Sequence, residues 1–111
     1  MTMHAAPAII VVEDNLRLRE ELSDYLREEG FNVRTVADGV ELDAALELQL
    51  PSIVILDLNL PGEDGIMITK RLRSALPNIG VIMLTARVRG VDRNEGYAAG
   101  ADVYLTKPTS P

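Results

Sequence analysis

The sequence predicts an α/β fold in which helices cover both faces of a doubly wound, five-stranded parallel sheet. Two patterns support this prediction. Five short apolar runs alternate with four amphipathic stretches, which is typical of βαβ units. The first run, residues 8–12, is unbroken and mostly β-branched, as expected of a strand buried on both faces. Right-handed crossovers between parallel strands then place helices on either side of the sheet.

The first half of the chain contains three predicted strands and two predicted helices. After the strand at 8–12, Asp14 or Asn15 can cap a helix over 16–29, whose apolar residues recur at helical spacing and which Gly30 can end. A shorter strand at 31–36 leads through a turn into a helix over 40–50, which Pro51 closes. The third strand covers 53–56 and stops at Asp57.

The second half repeats the pattern with weaker signals. Turn residues fill 59–65 and precede a helix over 66–76, which ends before Pro77. A fourth strand follows at 81–84. The next helix, 91–99, is interrupted by Gly96 and followed by Gly100, and a fifth strand covers 103–105. A fifth helix would be needed to cover the sheet, so we expect residues 1–111 to be one domain that has been shortened or belongs to a longer protein. Residues 1–7 are expected to be flexible.

Composition excludes several classes of function. The chain has 111 residues, 47% of them hydrophobic and 25% charged, which is ordinary for one globular domain. It contains no cysteine, so thiolate metal sites and cysteine nucleophiles are excluded and a reducing, cytoplasmic location is expected. The single histidine, His4, lies near the start. A net charge of −6 argues against direct binding of nucleic acid. No apolar run is long enough to span a membrane.

Polar side chains follow four of the five predicted strands. Glu13 and Asp14 follow the first strand, and Asp57 the third. Thr85 follows the fourth and Lys107 the fifth. The carboxyl ends of parallel strands meet at one edge of a doubly wound sheet, where ligands bind.

Grouped at that edge, these side chains suit one chemistry. Carboxylate oxygens favour Mg²⁺, which in turn attracts phosphate. Asp57 could then attack phosphorus as a nucleophile, while the Lys107 ammonium and the Thr85 hydroxyl stabilise charge on the phosphoryl oxygens. Taken singly, each residue is more simply a helix cap, a turn residue or a surface charge. Their coincidence at successive strand ends favours the functional interpretation.

The chain resembles the receiver domain of two-component response regulators over residues 9–108. Four segments in order carry the resemblance: IVVEDN at 10–15, VILDLNLPGEDG at 54–65, VIMLTA at 81–86 and GADVYLTKP at 100–108. The resemblance implies the flavodoxin-like strand order 2-1-3-4-5. It also implies that Asp57 accepts a phosphoryl group from a sensor histidine kinase or a histidine phosphotransfer protein.

The resemblance assigns roles to the other residues as well. It implies that Mg²⁺ is bound by Asp14, Asp57 and the backbone carbonyl of Asn59, with Glu13 acting through water. Lys107 would pair with the phosphoryl group and precede a cis peptide bond to Pro108. Thr85 would move toward the phosphoryl group, and Tyr104 would rotate inward to fill the space that Thr85 leaves. The simpler interpretation of Tyr104 is a packed aromatic at the sheet edge.

The resemblance further implies an output domain or a partner that reads the switch, with DNA binding as one such output. The resemblance also allows a dimer that forms on phosphorylation. Some family members use a pair of acids in such a dimer, and here Val103 follows Asp102 in place of the second acid. Two other functions compete with a signalling switch. An Mg²⁺-dependent phosphohydrolase with an aspartyl nucleophile usually carries a second acid two residues later, where this chain has Asn59. An interaction module that has lost the chemistry would not retain the complete set of residues.

Overall fold

The computed structural model describes residues 6–58, 60, 62–85 and 90–106, with the side chains of 85, 90–93 and 106 outside that description. Strands and helices alternate along the chain. The strands are β1 (Ala8–Val12), β2 (Asn32–Val36), β3 (Ile53–Asp57), β4 (Gly80–Thr85) and β5 (Val103–Thr106). The helices are α1 (Leu16–Glu28), α2 (Gly39–Leu48), α3 (Gly65–Ala75) and α4 (Gly90–Ala99). The five strands and four helices predicted from the sequence are therefore confirmed.

All five strands lie in one parallel sheet in the order β2-β1-β3-β4-β5. The first three strands lie side by side in register, so that Val12 is next to Val36 on one side and Leu56 on the other. Farther along the sheet, Asp57 is paired with Leu84. The chain therefore leaves β1 toward β2 and then returns past β1 to β3, which makes the gap between β1 and β3 the topological switch point of the sheet. The predicted strand order is confirmed.

The core has two parts because alternate strand residues point to opposite faces. On one face, strand residues such as Ile10, Val54 and Val81 pack against Leu42 of α2 and Ile68 of α3. The other face is smaller: four buried strand residues, Ile9, Val11, Val33 and Ile55, pack against Leu22 and Leu26 of α1. Burial on both faces explains why the strands have almost continuous apolar sequences. The expected fifth helix would follow residue 106, outside the described residues.

Short polar side chains begin three of the helices. Asn15, Asp38 and Asp64 each accept a hydrogen bond from the backbone N–H three residues later, which supplies a partner for an otherwise unpaired donor of the first turn. Asn15 is therefore the cap of α1, one of the two residues predicted. Gly30, with a φ of 98°, follows α1 in the left-handed conformation that favours glycine.

The predicted end of the second helix was wrong by two residues. The helix stops at Leu48 rather than Leu50, and Gln49 has an extended backbone with φ −163° and ψ 132°. Pro51 restricts Leu50 to extended conformations, because its ring clashes with a helical residue before it. None of the helices in the described ranges combines the length and the apolar character needed to cross a membrane.

Candidate functional site

Three carboxylates meet at the carboxyl edge of the sheet. Glu13 and Asp14 follow β1 directly, and Asp57 is the last residue of the neighbouring strand β3. One carboxylate oxygen from each of the three lies within 4.8 Å of the others. The cluster thus forms at the topological switch point, where doubly wound sheets bind ligands. The structure brings together three of the predicted site residues.

The turn after β1 is held by hydrogen bonds that position Glu13. Its backbone N–H donates to the carbonyl of Val36 at 3.0 Å, and its carboxylate accepts from the backbone N–H of Asn15 at 3.3 Å. Arg19, one turn into α1, donates to the Glu13 carbonyl at 3.0 Å. Glu13 is 3% exposed and Asp57 7%, whereas Asp14 lies on the open side of the cluster and is exposed.

The connection from Asp57 to α3 is closely packed. Leu58 and Leu60 are buried, and the backbone N–H of Gly65 donates to the carbonyl of Leu58 at 2.8 Å. A Cβ at Gly65 would contact the carbonyl oxygen of Asp57 and lie 2.7 Å from the Cα of Leu58. Only glycine therefore fits there without moving the backbone that carries Asp57.

An arginine from α3 contacts the same connection. Arg71 donates two hydrogen bonds to the carboxylate of Glu63, at 2.8 and 3.0 Å, and a third to Asp43 of α2 at 2.7 Å. The hydrogen bonds to Glu63 and Asp43 raise the pKa of Arg71 above its ordinary value, so the guanidinium stays charged. The sequence does not reveal this contact, because charged side chains on helices and in a loop give no signal of a specific partner.

The remaining predicted residues are placed only in part. Thr85 ends β4, next to Thr106 of β5, so its backbone lies at the same edge of the sheet as Asp57. The side chain of Thr85 is outside the described part of the chain. Asn59 and Lys107 are outside it as well, together with the predicted cis bond before Pro108. Their roles stay predictions.

Tyr104 of β5 is already buried, with 4% exposure. Its ring packs against Gly96 of α4, where a Cβ would lie only 2.7 Å from the tyrosine Cδ2. The backbone N–H of Tyr104 donates to the hydroxyl of Tyr97 at 3.2 Å, and the two rings are 6.3 Å apart. The ring is therefore buried and packed, as the simpler interpretation of this residue expects, and its role in a switch stays a prediction.

The composition of the acidic cluster fits a hard divalent cation. Its members are all carboxylates, the ligand type that Mg²⁺ favours over imidazole or thiolate. Two of them are nearly buried, and carboxylates at this separation repel one another unless a cation lies between them. The cluster could therefore hold Mg²⁺ and leave room for further oxygen ligands on the exposed side of Asp14.

The fold and the site together define a class, the doubly wound α/β proteins that carry an acidic site beyond β1 and β3. Comparison with known families narrows this class. The family model of the response regulator receiver domain matches residues 9–111. The chain belongs to this family, and receiver domains are the phosphorylatable signalling switches of two-component systems.

Individual relatives agree with the assignment. The virulence transcriptional regulatory protein PhoP of Salmonella typhimurium (strain 14028s / SGSC 2262) is 43% identical over 100 residues, which cover 90% of this chain. The chain spans only 45% of the length of that protein. A putative response regulator from Chloroflexus aurantiacus J-10-fl is similar in structure, with a TM-score of 0.87 and 34% identity over 96% of this chain and 88% of its own. The chemotaxis response regulator CheY4 of Vibrio cholerae also has a TM-score of 0.87, with 30% identity over 96% of this chain and 90% of its own.

Proposed function

We propose that this receiver domain is switched by phosphorylation of Asp57. The observation that carries the proposal is the cluster of three carboxylates within 4.8 Å, with Asp57 at the end of a central strand. Family membership favours a signalling switch over a metabolic phosphohydrolase. The sequence agrees, because Asn59 replaces the second acid that such hydrolases use.

The proposed Mg²⁺ site consists of Asp14, Asp57 and the backbone carbonyl of Asn59, with Glu13 acting through water. Bound there, Mg²⁺ would neutralise charge on the phosphoryl oxygens during transfer. The protein supplies the rest. Hydrogen bonds around Glu13 and the packing of Gly65 fix the two strand ends, so the carboxylates are held close together.

The proposed reaction is phosphoryl transfer from a histidine to Asp57. A carboxylate oxygen of Asp57 bonds to phosphorus while the phosphorus–nitrogen bond of the donor breaks, and the imidazole leaves with the bonding electron pair. Lys107 pairs with one phosphoryl oxygen and the Thr85 hydroxyl donates to another. Water later attacks phosphorus, releases phosphate and restores the Asp57 carboxylate. The sequence has one histidine, His4, near its start, so the proposed phosphodonor is a histidine of another protein.

We propose that phosphorylation changes the surface of the domain through movements of Thr85 and Tyr104. Movement of Thr85 toward the phosphoryl group would leave a space that the Tyr104 ring then fills. Burial of Tyr104 beside α4 supports this proposal, because the ring already lies among the elements that would move. Such a shift needs a difference of only a few kcal/mol between two states. The change would be read on the surface of α4 and β5.

The proposed partners follow from the family and its relatives. The phosphodonor would be a sensor histidine kinase or a histidine phosphotransfer protein. By analogy with the transcriptional regulatory protein PhoP, an attached output domain would carry the response, with DNA binding as the first candidate. The proposed location is the cytoplasm, in keeping with the absence of cysteine.

The test is incubation with acetyl phosphate, followed by intact-protein mass spectrometry. We expect one added phosphoryl group in the presence of Mg²⁺ and none after its removal by a chelator. Asp57→Asn should abolish the adduct. Asp24→Asn, which removes an exposed carboxylate of α1, is the matched control and should label normally. Equal labelling of Asp57→Asn and the wild type would overturn the proposal.

A further inference from the structure

Arg71 joins three segments of the protein through its guanidinium. Its Nε and Nη2 atoms donate to the two carboxylate oxygens of Glu63, at 3.0 and 2.8 Å, and its Nη1 donates to Asp43 at 2.7 Å. Arg71 lies on α3, Asp43 on α2, and Glu63 on the connection that leads from Asp57 to α3. The paired contact with Glu63 matches the planar fork of a guanidinium, which fixes direction as well as distance.

The fold leaves a space that receives the Glu63 side chain. Gly39 begins α2 and is buried, and a Cβ there would lie 2.9 Å from Oε1 of Glu63 and 3.6 Å from Nη2 of Arg71. The absence of a side chain at residue 39 therefore allows Glu63 and Arg71 to meet against the start of α2.

The contact between Arg71 and Glu63 is the third contact that holds the described residues between β3 and α3. Leu58 and Leu60 anchor its first part in the core, and Asp64 and Gly65 begin α3 at its other end. Glu63 lies between these anchors, six residues after Asp57 in the sequence. A change in the position of Glu63 would reach the backbone beside Asp57 through the next two residues, because Gly65 donates to the carbonyl of Leu58 and lies against the backbone of Asp57.

We propose that Arg71 is a positioning residue for the phosphorylation site: by holding Glu63 next to the start of α3, it keeps Gly65 packed against the backbone of Asp57 and so keeps Asp57 in place for Mg²⁺. The inference rests on the proposed Mg²⁺ site and adds a residue that does not contact the ion. Groups that hydrogen-bond to a metal ligand orient that ligand, and their removal typically weakens metal binding by about ten- to a hundredfold. Arg71 acts one contact farther from the ion, so we expect the lower end of that range.

The test compares Arg71→Gln with Arg71→Lys, Glu63→Gln and the control Arg17→Gln. Arg17 makes a similar arginine–glutamate contact, to Glu21 at 3.1 Å, but on the exposed surface of α1. Isothermal titration calorimetry with MgCl₂ measures affinity. We expect Arg71→Gln to raise the Kd for Mg²⁺ by about tenfold and Arg17→Gln to leave it unchanged. Arg71→Lys keeps the charge without the fork and should fall between.

Two further readouts separate positioning from a general loss of structure. In the absence of Mg²⁺, hydrogen exchange of the Gly65 amide should accelerate in Arg71→Gln, while amides of β1 keep their protection. In Arg71→Gln, half-maximal labelling by acetyl phosphate should need a higher Mg²⁺ concentration than in the wild type. At saturating Mg²⁺ the two labelling rates should be equal. A purely structural role would lower the labelled fraction without moving the half-maximal Mg²⁺ concentration.

Further variants keep the inference testable if Arg71→Gln does not fold. Gly39→Ala retains all three charged groups and pushes against Glu63, so it should also weaken Mg²⁺ binding. Wild-type affinity in both Glu63→Gln and Gly39→Ala would overturn the inference. If acetyl phosphate labels the wild-type protein in the presence of Mg²⁺ and does not label Asp57→Asn, the proposed function stands whatever these variants show. If the wild-type protein takes up no Mg²⁺, both proposals fail.

Discussion

Two glycines show how single residues shape the site. Gly65 lies against the backbone of Asp57 and Leu58, and Gly96 lies against the ring of Tyr104. In each case the hydrogen in place of a side chain allows a contact that the proposed function uses. Substitution by alanine therefore tests each contact with the smallest change in chemistry.

Gly65→Ala should destabilise the protein by about 2–3 kcal/mol. Its Cβ would meet backbone atoms, which cannot move without displacing Asp57. Urea unfolding followed by circular dichroism measures the loss. Gly80→Ala is the control, because the nearest atom there is a side-chain carbon of Ile53 at 3.2 Å, which can give way. Equal losses in the two variants would contradict the packing argument.

Gly96→Ala should destabilise the wild-type protein but stabilise a variant in which Tyr104 is replaced by alanine. With Tyr104 present, the new Cβ would force the ring from its buried position and destabilise the protein. In a Tyr104→Ala background the same change should stabilise by about 1 kcal/mol, because alanine is the better helix former. The other close atom, Sδ of Met83 at 3.3 Å, belongs to a flexible side chain that can use the space left by the ring. A double-mutant cycle from urea unfolding measures the difference. Effects of the same sign in both backgrounds would refute the contact.

At the scale of elements, Arg73 of α3 connects the parts that surround β4. Its guanidinium donates to the carbonyls of Gly100, Pro77 and Ile79 at 2.7 to 3.0 Å and pairs with Asp102 at 2.6 Å. Asp102 also accepts a hydrogen bond from the backbone of Val81. The acid that precedes β5 is thus engaged within its own chain.

Arg73→Ala should therefore cost about 2–3 kcal/mol of stability, because several carbonyls lose a charged donor. Arg17→Ala, at an exposed ion pair of α1, should cost about 0.5 kcal/mol or less. Thermal unfolding of both variants under identical conditions makes the comparison. Unfolding of the two variants at the same temperature would contradict this role of Arg73.

The sequence predicted the order and type of the described elements because burial on both faces produces nearly continuous apolar strands. Helix ends were harder to predict: α2 stops at Leu48, where a backbone preference imposed by Pro51 overrides the apolar pattern. The acidic site could be predicted because topology alone brings Glu13 and Asp57 together. The contact between Arg71 and Glu63 could not be predicted, since charged side chains on a helix and a loop give no signal of which residue they pair with.

At the scale of the whole molecule, binding of Mg²⁺ should be coupled to folding. The chain carries a net charge of −6, and the three clustered acids converge only in the folded state. A cation that binds the folded state alone stabilises it by about 2.7 kcal/mol at a hundredfold excess over its Kd. We expect this gain from MgCl₂ in urea unfolding but not from NaCl at equal ionic strength. Asp57→Asn should lose most of it, and an equal gain from both salts would contradict a specific site.

The proposed function requires that one aspartate at the acidic edge of the sheet carries phosphate. The most direct measurement labels the protein with acetyl phosphate and Mg²⁺, reduces the acyl phosphate with borohydride and maps the modified peptide by mass spectrometry. The account predicts that residue 57 is converted to homoserine and that other acidic residues, including Glu13 and Asp14, are unchanged. Modification at another residue, or none at residue 57, would contradict it.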